Sequence, residues 1–216
     1  MSDLVKIAKT EISNSNKLCV IAGLNVLEDD QLTFEVAERL KKITEAQGNS
    51  FIFKASFDKA NRSSVDSYRG PGLEKGLEIF RELKKSDYQL ITDIHEISQV
   101  KQISEVVDII QIPAFLCRQT DLIKEACQVG KPLNIKKGQF LSPDQMKNII
   151  DKCNSFGNDQ IMLCERGTSF GYDNLVVDML GMSKLKSFHH PIIFDVTHSL
   201  QLPGKGGTSA SGRGEQ

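Results

Sequence analysis

The chain has 216 residues, enough for one large domain or two small ones. A net charge of −1, with 25% charged residues, argues against a general nucleic-acid binder. No apolar run approaches the roughly 18–20 residues of a membrane span, and residues 1–13 are polar and lack the apolar core of a secretory signal.

Five cysteines (Cys19, Cys117, Cys127, Cys153, Cys164) are scattered, with no C-x-x-C pair. That pattern fits reduced thiols in a cytosol, and Cys19, Cys117 and Cys164 read as small core residues.

The first short apolar run is LCVIAG, from Leu18, with Asn25 just beyond it. Between Asp29 and Gln47, Leu32, Val36, Leu40 and Ile43 recur at helical spacing. FIFKAS, from Phe51, ends in Lys54 and Ser56. The loop DKANRSSVDSYRGPG then adds Lys59, Arg62, Ser63 and Ser64 before a rigid Gly70-Pro71-Gly72 turn. An apolar face of Leu73, Leu77, Phe80 and Leu83 predicts the next helix.

QLITDI, from Gln89, carries Asp93 at its end, with His95 just beyond. IIQIPA, from Ile109, carries Gln111. LNIKK, from Leu133, ends in Lys136 and Lys137. Ser142-Pro143 then caps a helix with Met146, Ile149 and Ile150 on one face. IMLCER, from Ile161, ends in Arg166. IIFDVT, from Ile192, leads to Asp195 and His198. His189 and His190, just before it, read as surface residues.

Near-continuous apolar runs alternating with helices predict parallel strands covered on both faces. Seven units are one short of an eight-stranded barrel. An open doubly wound sheet is the alternative, but it would gather ligand at a single switch point. Polar residues at nearly every strand end favour the barrel. Strand alternation puts Ile52, Lys54 and Ser56 on one face, then Met162, Cys164 and Arg166, then Phe194, Val196 and His198. The expected organisation is a barrel domain over residues 1–204 and a loop or disordered tail over 205–216.

Cations converging in a nearly neutral chain call for an anionic guest, because an unpaired buried charge is costly. Two subsites are expected, one around Lys54, Lys59, Lys136 and Arg166, the other around Arg62 and Ser63, whose fork and hydroxyl suit phosphate. The residues alone define an enzyme of phosphorylated or carboxylated small molecules.

The blocks FKASFDKANRSS, SYRGPG, TDIHE, QIPAFLCRQTDL, NIKKGQF, ERGTSFGYDNLVVDM and IFDVTHSLQLPG, in this order, resemble the Kdo-8-phosphate synthases. The resemblance implies a (β/α)8 TIM barrel, here lacking its last βα elements, assembled as a homotetramer in the cytoplasm. It implies condensation of phosphoenolpyruvate with arabinose 5-phosphate for lipopolysaccharide synthesis. By motif, Lys54, Lys59, Gln111, Lys136 and Arg166 would hold phosphoenolpyruvate. Ser56, Asn61, Arg62, Ser63 and Gln201 would hold the sugar phosphate, and Arg118 would reach that of a neighbouring subunit. Asn25, Lys54, Asp93, His95 and His198 would serve the chemistry.

Metal-dependent members carry Cys where this chain has Asn25, so no metal or other cofactor is expected. The family pattern continues past Gln216 with a helix, a strand and a Glu–Asp pair, which makes a truncated synthase the expectation. The rival readings are a related DAHP-type synthase using another phosphosugar, a Schiff-base aldolase using Lys54 or Lys136, and an inactive remnant that binds phosphosugars or partner subunits. No nucleic-acid or membrane partner is expected.

Overall fold

The computed structural model describes residues 3–206 and 209–213. The chain opens with an antiparallel hairpin of β1 (Leu4–Ile7) and β2 (Thr10–Ser13), a feature the sequence reading did not anticipate. Ala8 takes its turn with a positive φ of 45°. Val5, Ile7 and Ile12 are buried, while Lys6 and Glu11 pair across the outer face at 3.4 Å.

The first βα unit is β3 (Cys19–Gly23) followed by α1 (Asp30–Ala46), capped by Asp29, whose carboxylate accepts from the Leu32 N–H. Thr33, Ala37 and Thr44 are the fully buried residues of α1, with Val36 and Leu40 packed beside the core. Leu32 and Ile43 are exposed, so the helix is rotated from its predicted apolar stripe. Then come β4 (Ser50–Lys54), α2 (Leu73–Lys85), β5 (Leu90–Asp93), α3 (Ile97–Ser104), β6 (Ile109–Ile112), α4 (Thr120–Gln128), β7 (Leu133–Lys136), α5 (Met146–Ser155) and β8 (Ile161–Glu165). Ser142 and Gln145 form a capping box over the 3-10 turn that leads into α5.

A small excursion, β9 (Thr168–Ser169) paired with β10 (Leu175–Val176), precedes α6 (Met179–Lys186) and β11 (Ile192–Phe194). After β11 the chain turns at once into a short helix, α7 (Val196–Ser199), capped by Asp195. The expected alternation of Phe194, Val196 and His198 along one strand face therefore does not hold. Strand β11 stops at Phe194, and His198 is presented by a helical turn. Residues expected as a loop or tail from 205 onward include part of a hairpin of β12 (Gln201–Gly206) and β13 (Ser209–Gly212); residues 207–208 and 214–216 lie outside the described residues.

The sheet order is β11-β8-β7-β6-β5-β4-β3, with parallel neighbours throughout. Space follows sequence without reversal, so there is no topological switch point of the doubly wound kind. Among the described residues the sheet has seven strands and curls into a half-barrel with edges at β3 and β11. One face packs against the helices: Phe51, Phe53, Leu90, Ile110, Leu133, Ile135, Ile161 and Leu163 share a cluster with Leu77, Phe80, Ile123 and Ile149. The other face is closed at its N-terminal end by the β1–β2 hairpin, where Val5, Ile7 and Ile12 meet Ile52, Ile91, Ile109 and Met162. The residues two positions further along those strands are Lys54, Asp93, Gln111 and Cys164, so the inner face turns polar toward its C-terminal mouth.

Two of the smaller sequence expectations, at Cys19 and His190, fare differently. Cys117 and Cys164 are buried as expected, but Cys19 is only half-buried, and Cys127 and Cys153 are buried core thiols as well. His190 is fully buried, not on the surface. Its carbonyl accepts from Asn14 Nδ2 at 2.8 Å, and Asn14 Oδ1 accepts from Ile192 N–H at 2.9 Å. Asn14 thus mimics a backbone partner for β11 and fastens it to the N-terminal hairpin.

A candidate anion-binding active site at the mouth of the half-barrel

Strand ends and the long β4–α2 loop enclose a cleft of about 470 Å³. The loop is closed at its base. Lys59 N–H donates to the Arg69 carbonyl at 2.6 Å, and Arg69 Nε donates to Asp58 at 2.9 Å within a two-pronged ion pair. Gly70 sits at φ 121°, and a Cβ there would lie 2.3 Å from the Phe57 carbonyl oxygen, so only glycine fits. This closure holds Asn61, Arg62 and Ser63 over the cleft.

On the cleft floor, Lys54 Nζ and Lys59 Nζ donate to Ser56 Oγ at 2.8 and 2.9 Å, and Ser56 donates to Asp93. Asp93 also faces Lys54 at 3.5 Å and His95 Nε2 at 3.2 Å. Burial alone would raise the Asp93 carboxyl. Lys54, the His95 hydrogen bond and Lys59 overcome it and hold the carboxyl well below the usual range. Lys59 has the opposite fate: burial, then repulsion by Lys54, Lys136 and Arg62, pull its ammonium down to about 7 against the help of Asp93.

The opposite wall carries Lys136, which meets Asp195 Oδ2 at 2.5 Å; the same oxygen lies 2.8 Å from His198 Nδ1. Burial raises the Asp195 carboxyl, but His198 and Lys136 bring it far below its ordinary value. Burial lowers the His198 imidazole, with Asp195 opposing and Lys136 adding to the fall. Arg166 Nη2 donates to Gln201 Oε1 at 2.8 Å. Gln111 Oε1 accepts from Asn134 Nδ2 at 3.1 Å across the paired strands β6 and β7.

Three buried polar atoms on the cleft wall have no hydrogen-bond partner among the described residues: Arg166 Nη1, His95 Nδ1 and Gln139 Oε1. Buried polar groups are seldom left so, and three of them on residues that line one cleft mark a place made for a polar guest.

Of the residues expected at the site, Asn25, Lys54, Lys59, Asn61, Arg62, Ser63, Asp93, His95, Gln111, Lys136, Arg166, His198 and Gln201 all line this cleft. Ser56 does not; it is buried beneath, as the shared acceptor of two lysines. Arg118 is exposed and outside the cleft lining. Lys137, read as another strand-end cation, is buried away from the cleft against Glu165 at 3.6 Å, because adjacent strand residues face opposite sides. Pro113, Phe115, Glu96 and Gln139 are among the further lining residues, none of them singled out in the sequence. Gln139 stands in the block NIKKGQF, and its position next to a strand end was the available signal.

The DAHP synthetase I family model matches residues 4–211. The chain belongs to that family. Among its relatives in the DAHP synthetase I family is a 2-dehydro-3-deoxyphosphooctonate aldolase of Hahella chejuensis, 55% identical over 213 residues, which are 98% of this chain and 76% of that protein. Proteins of the same name from Pseudomonas syringae pv. syringae and Shewanella halifaxensis are each 53% identical over 214 residues, covering 99% of this chain and 76% of theirs. In this member of the DAHP synthetase I family, five cations (Lys54, Lys59, Arg62, Lys136, Arg166) and two carboxylates (Asp93, Glu96) line the mouth, so the cleft has a cationic excess before any guest enters.

Proposed function

We propose that this chain condenses phosphoenolpyruvate with D-arabinose 5-phosphate and water, giving Kdo 8-phosphate and phosphate. The observation that carries the reading is the cleft with its cationic excess, in a chain more than half identical to proteins named for that octulosonate product. Two anionic substrates need two cationic grips, and the cations fall into two groups. Lys54, Lys59, Lys136 and Arg166 are on the inner strand ends and the loop base, and suit the carboxylate and phosphate of phosphoenolpyruvate. Asn61, Arg62 and Ser63, in the overhanging loop, suit the sugar phosphate.

In the reaction, the enol C3 attacks the sugar aldehyde and positive character develops at C2. Water adds at C2, and the hemiketal phosphate then expels inorganic phosphate. Fixed cations hold the two substrates face to face, and Asp93 and Asp195, both kept ionised, offer negative charge toward the developing cation. His198 Nδ1 lies 2.8 Å from Asp195 Oδ2, a contact in which the ring N–H donates to the carboxylate and which orients the ring on the cleft wall. Asn25 brings an amide to the cleft, and an amide does not fit a soft divalent metal as a thiolate would. No step is therefore assigned to a metal.

A cytoplasmic homotetramer belongs to the same reading. Phe115 and Phe140 are exposed apolar rings that a neighbouring copy would cover, and Arg118, exposed three residues beyond Phe115, would then reach such a neighbour's ligand. No described helix is long and apolar enough to cross a membrane.

The test is phosphate release by this polypeptide with phosphoenolpyruvate and either arabinose 5-phosphate or erythrose 4-phosphate. Release with the five-carbon sugar only is expected. Release with the four-carbon sugar only would assign the chain to the DAHP reaction, and release with neither would leave a phosphosugar-binding remnant.

A further inference from the structure

Behind the cleft wall lies an ion pair whose own two residues are not part of the cleft lining. Lys137 and Glu165 have side-chain exposures of 1% and 2% and approach at 3.6 Å. A buried pair of this kind contributes little net stability, because desolvation of both charges offsets their attraction. Its hydrogen bonds reveal another use.

Glu165 Oε1 accepts from two successive backbone N–H groups, Arg166 at 2.9 Å and Gly167 at 2.6 Å. The carboxylate folds back over the turn that follows β8 and fixes the direction in which Arg166 leaves the strand. Gly167 adopts φ 97° there, and a Cβ would crowd Leu175 Cβ at 3.3 Å. Lys137 holds the other carboxylate oxygen. It also donates to Thr168 Oγ1 at 2.9 Å and to the Leu141 carbonyl at 3.3 Å, joining the end of β7 to β9. The outcome of this bracing is visible in Arg166, whose Nη2 is held by Gln201 and whose Nη1 is buried without a partner on the cleft wall.

We propose that Glu165 is a positioning residue: neutralised by Lys137, it braces through its acceptor oxygen the turn that aims Arg166 at the anionic group of the substrate. This rests on Arg166 belonging to the phosphoenolpyruvate subsite, as in the function proposed above. The essential element is the acceptor on residue 165, with the charge on Lys137 serving to hold it in place.

Two double variants separate the alternatives. Lys137→Met/Glu165→Gln and Lys137→Met/Glu165→Leu both remove the buried charges, so neither leaves a lone ion to unfold the chain. They differ in whether residue 165 still offers an oxygen to the two N–H groups. Calorimetric titration with phosphoenolpyruvate, and amide hydrogen exchange at residues 166 and 167, are the readouts. The Gln variant is expected to bind within about threefold of wild type, with both amides still protected. The Leu variant is expected to bind about tenfold or more weakly, with both amides exchanging faster. Equal affinity for the two variants, or a fall in Tm with no change in affinity, overturns the positioning role. A wild-type chain that binds no phosphoenolpyruvate overturns the assigned subsite, and the positioning role with it.

Discussion

Lys54 and Lys59 donate to one and the same oxygen, Ser56 Oγ, at 2.8 and 2.9 Å. Two ammonium groups on one small acceptor, with a single carboxylate behind it, repel each other. Lys59 yields: burial and then Lys54 bring it down to about 7. An anionic guest would reverse this by favouring the charged form. Binding of phosphoenolpyruvate should therefore take up a proton, a fraction of one near pH 7 and approaching one at about pH 8. Affinity should be greatest below pH 7 and fall as pH rises through it. Titrations in two buffers of different ionisation enthalpy measure the uptake directly, and identical heats in both at pH 8 would refute it.

The same lysine makes a stability prediction. Its ammonium is easier to protonate in the unfolded chain than in the cleft, so between about 7 and the ordinary lysine range near about 10.5 the unfolded state holds more protons. Stability from this group thus rises with pH in that window, and below about 7 the full cost of a charged Lys59 is present. Lys59→Met should raise Tm at pH 6.5 by more than at pH 9, while weakening anion binding. Calorimetry at the two pH values checks the sign; a Tm lowered equally at both would mean that the ammonium is a net support.

Arg62 lies on the overhanging loop, apart from the strand-end lysines. Arg62→Ala removes a forked phosphate donor and should raise the Michaelis constant for arabinose 5-phosphate by roughly tenfold to a hundredfold. The constant for phosphoenolpyruvate should stay within about threefold, since its grips are elsewhere. An unchanged constant for the sugar would remove Arg62 from that subsite.

Much of this site was readable because a parallel barrel puts chemistry at strand ends, and strand ends are visible as the polar stops of apolar runs. Lys54, Asp93, Lys136 and Arg166 were found that way. The failures have physical causes. Period-two alternation cannot be carried past the end of a strand, so His198 was placed on a strand although Asp195 caps a helix there. Lys136 and Lys137 are alike in sequence, yet one faces the cleft and the other a buried carboxylate. Ser56 shares the parity of Lys54 but is too short to reach the cleft, and lies under the two longer side chains. The β1–β2 hairpin has strands of only four residues, and its signal, Val5, Ile7, Thr10 and Ile12 alternating with charges, is brief. Its purpose shows only in three dimensions, where it covers the apolar end of the inner sheet face.

Asn25 gives the cleft an amide, a far poorer ligand for a soft divalent metal than a thiolate. Phosphate release should therefore continue undiminished in excess EDTA, and an added divalent metal should not raise it. Asn25→Cys would place a thiolate in the cleft that His198 also lines, and tight zinc or cadmium binding by that variant but not by wild type is expected. Chelator-sensitive activity in the wild-type chain, restored by a divalent metal, would reverse the assignment.

His190 couples the N-terminal hairpin to strand β11, because its carbonyl is one of the two backbone groups that Asn14 holds. Its ring is fully buried with neither nitrogen hydrogen-bonded among the described residues, and burial lowers its imidazole below the usual value, with the Ile161 backbone and Asp159 opposing. Among the described residues, the charged side chains that bear on it are Asp159 and Asp3. Since the unfolded chain takes the proton more readily, stability from this group is intact above about pH 6.5 and is lost as pH falls below it. His190→Leu should therefore narrow the difference in Tm between pH 7.5 and pH 5.5. Hydrogen exchange at Ile192 should also accelerate at pH 5.5 in the wild type more than in the variant, once corrected for the intrinsic rate. If both chains lose the same Tm over that range, the acid sensitivity arises elsewhere, and His198, whose imidazole is also lowered by burial, becomes the group whose protonation accounts for it.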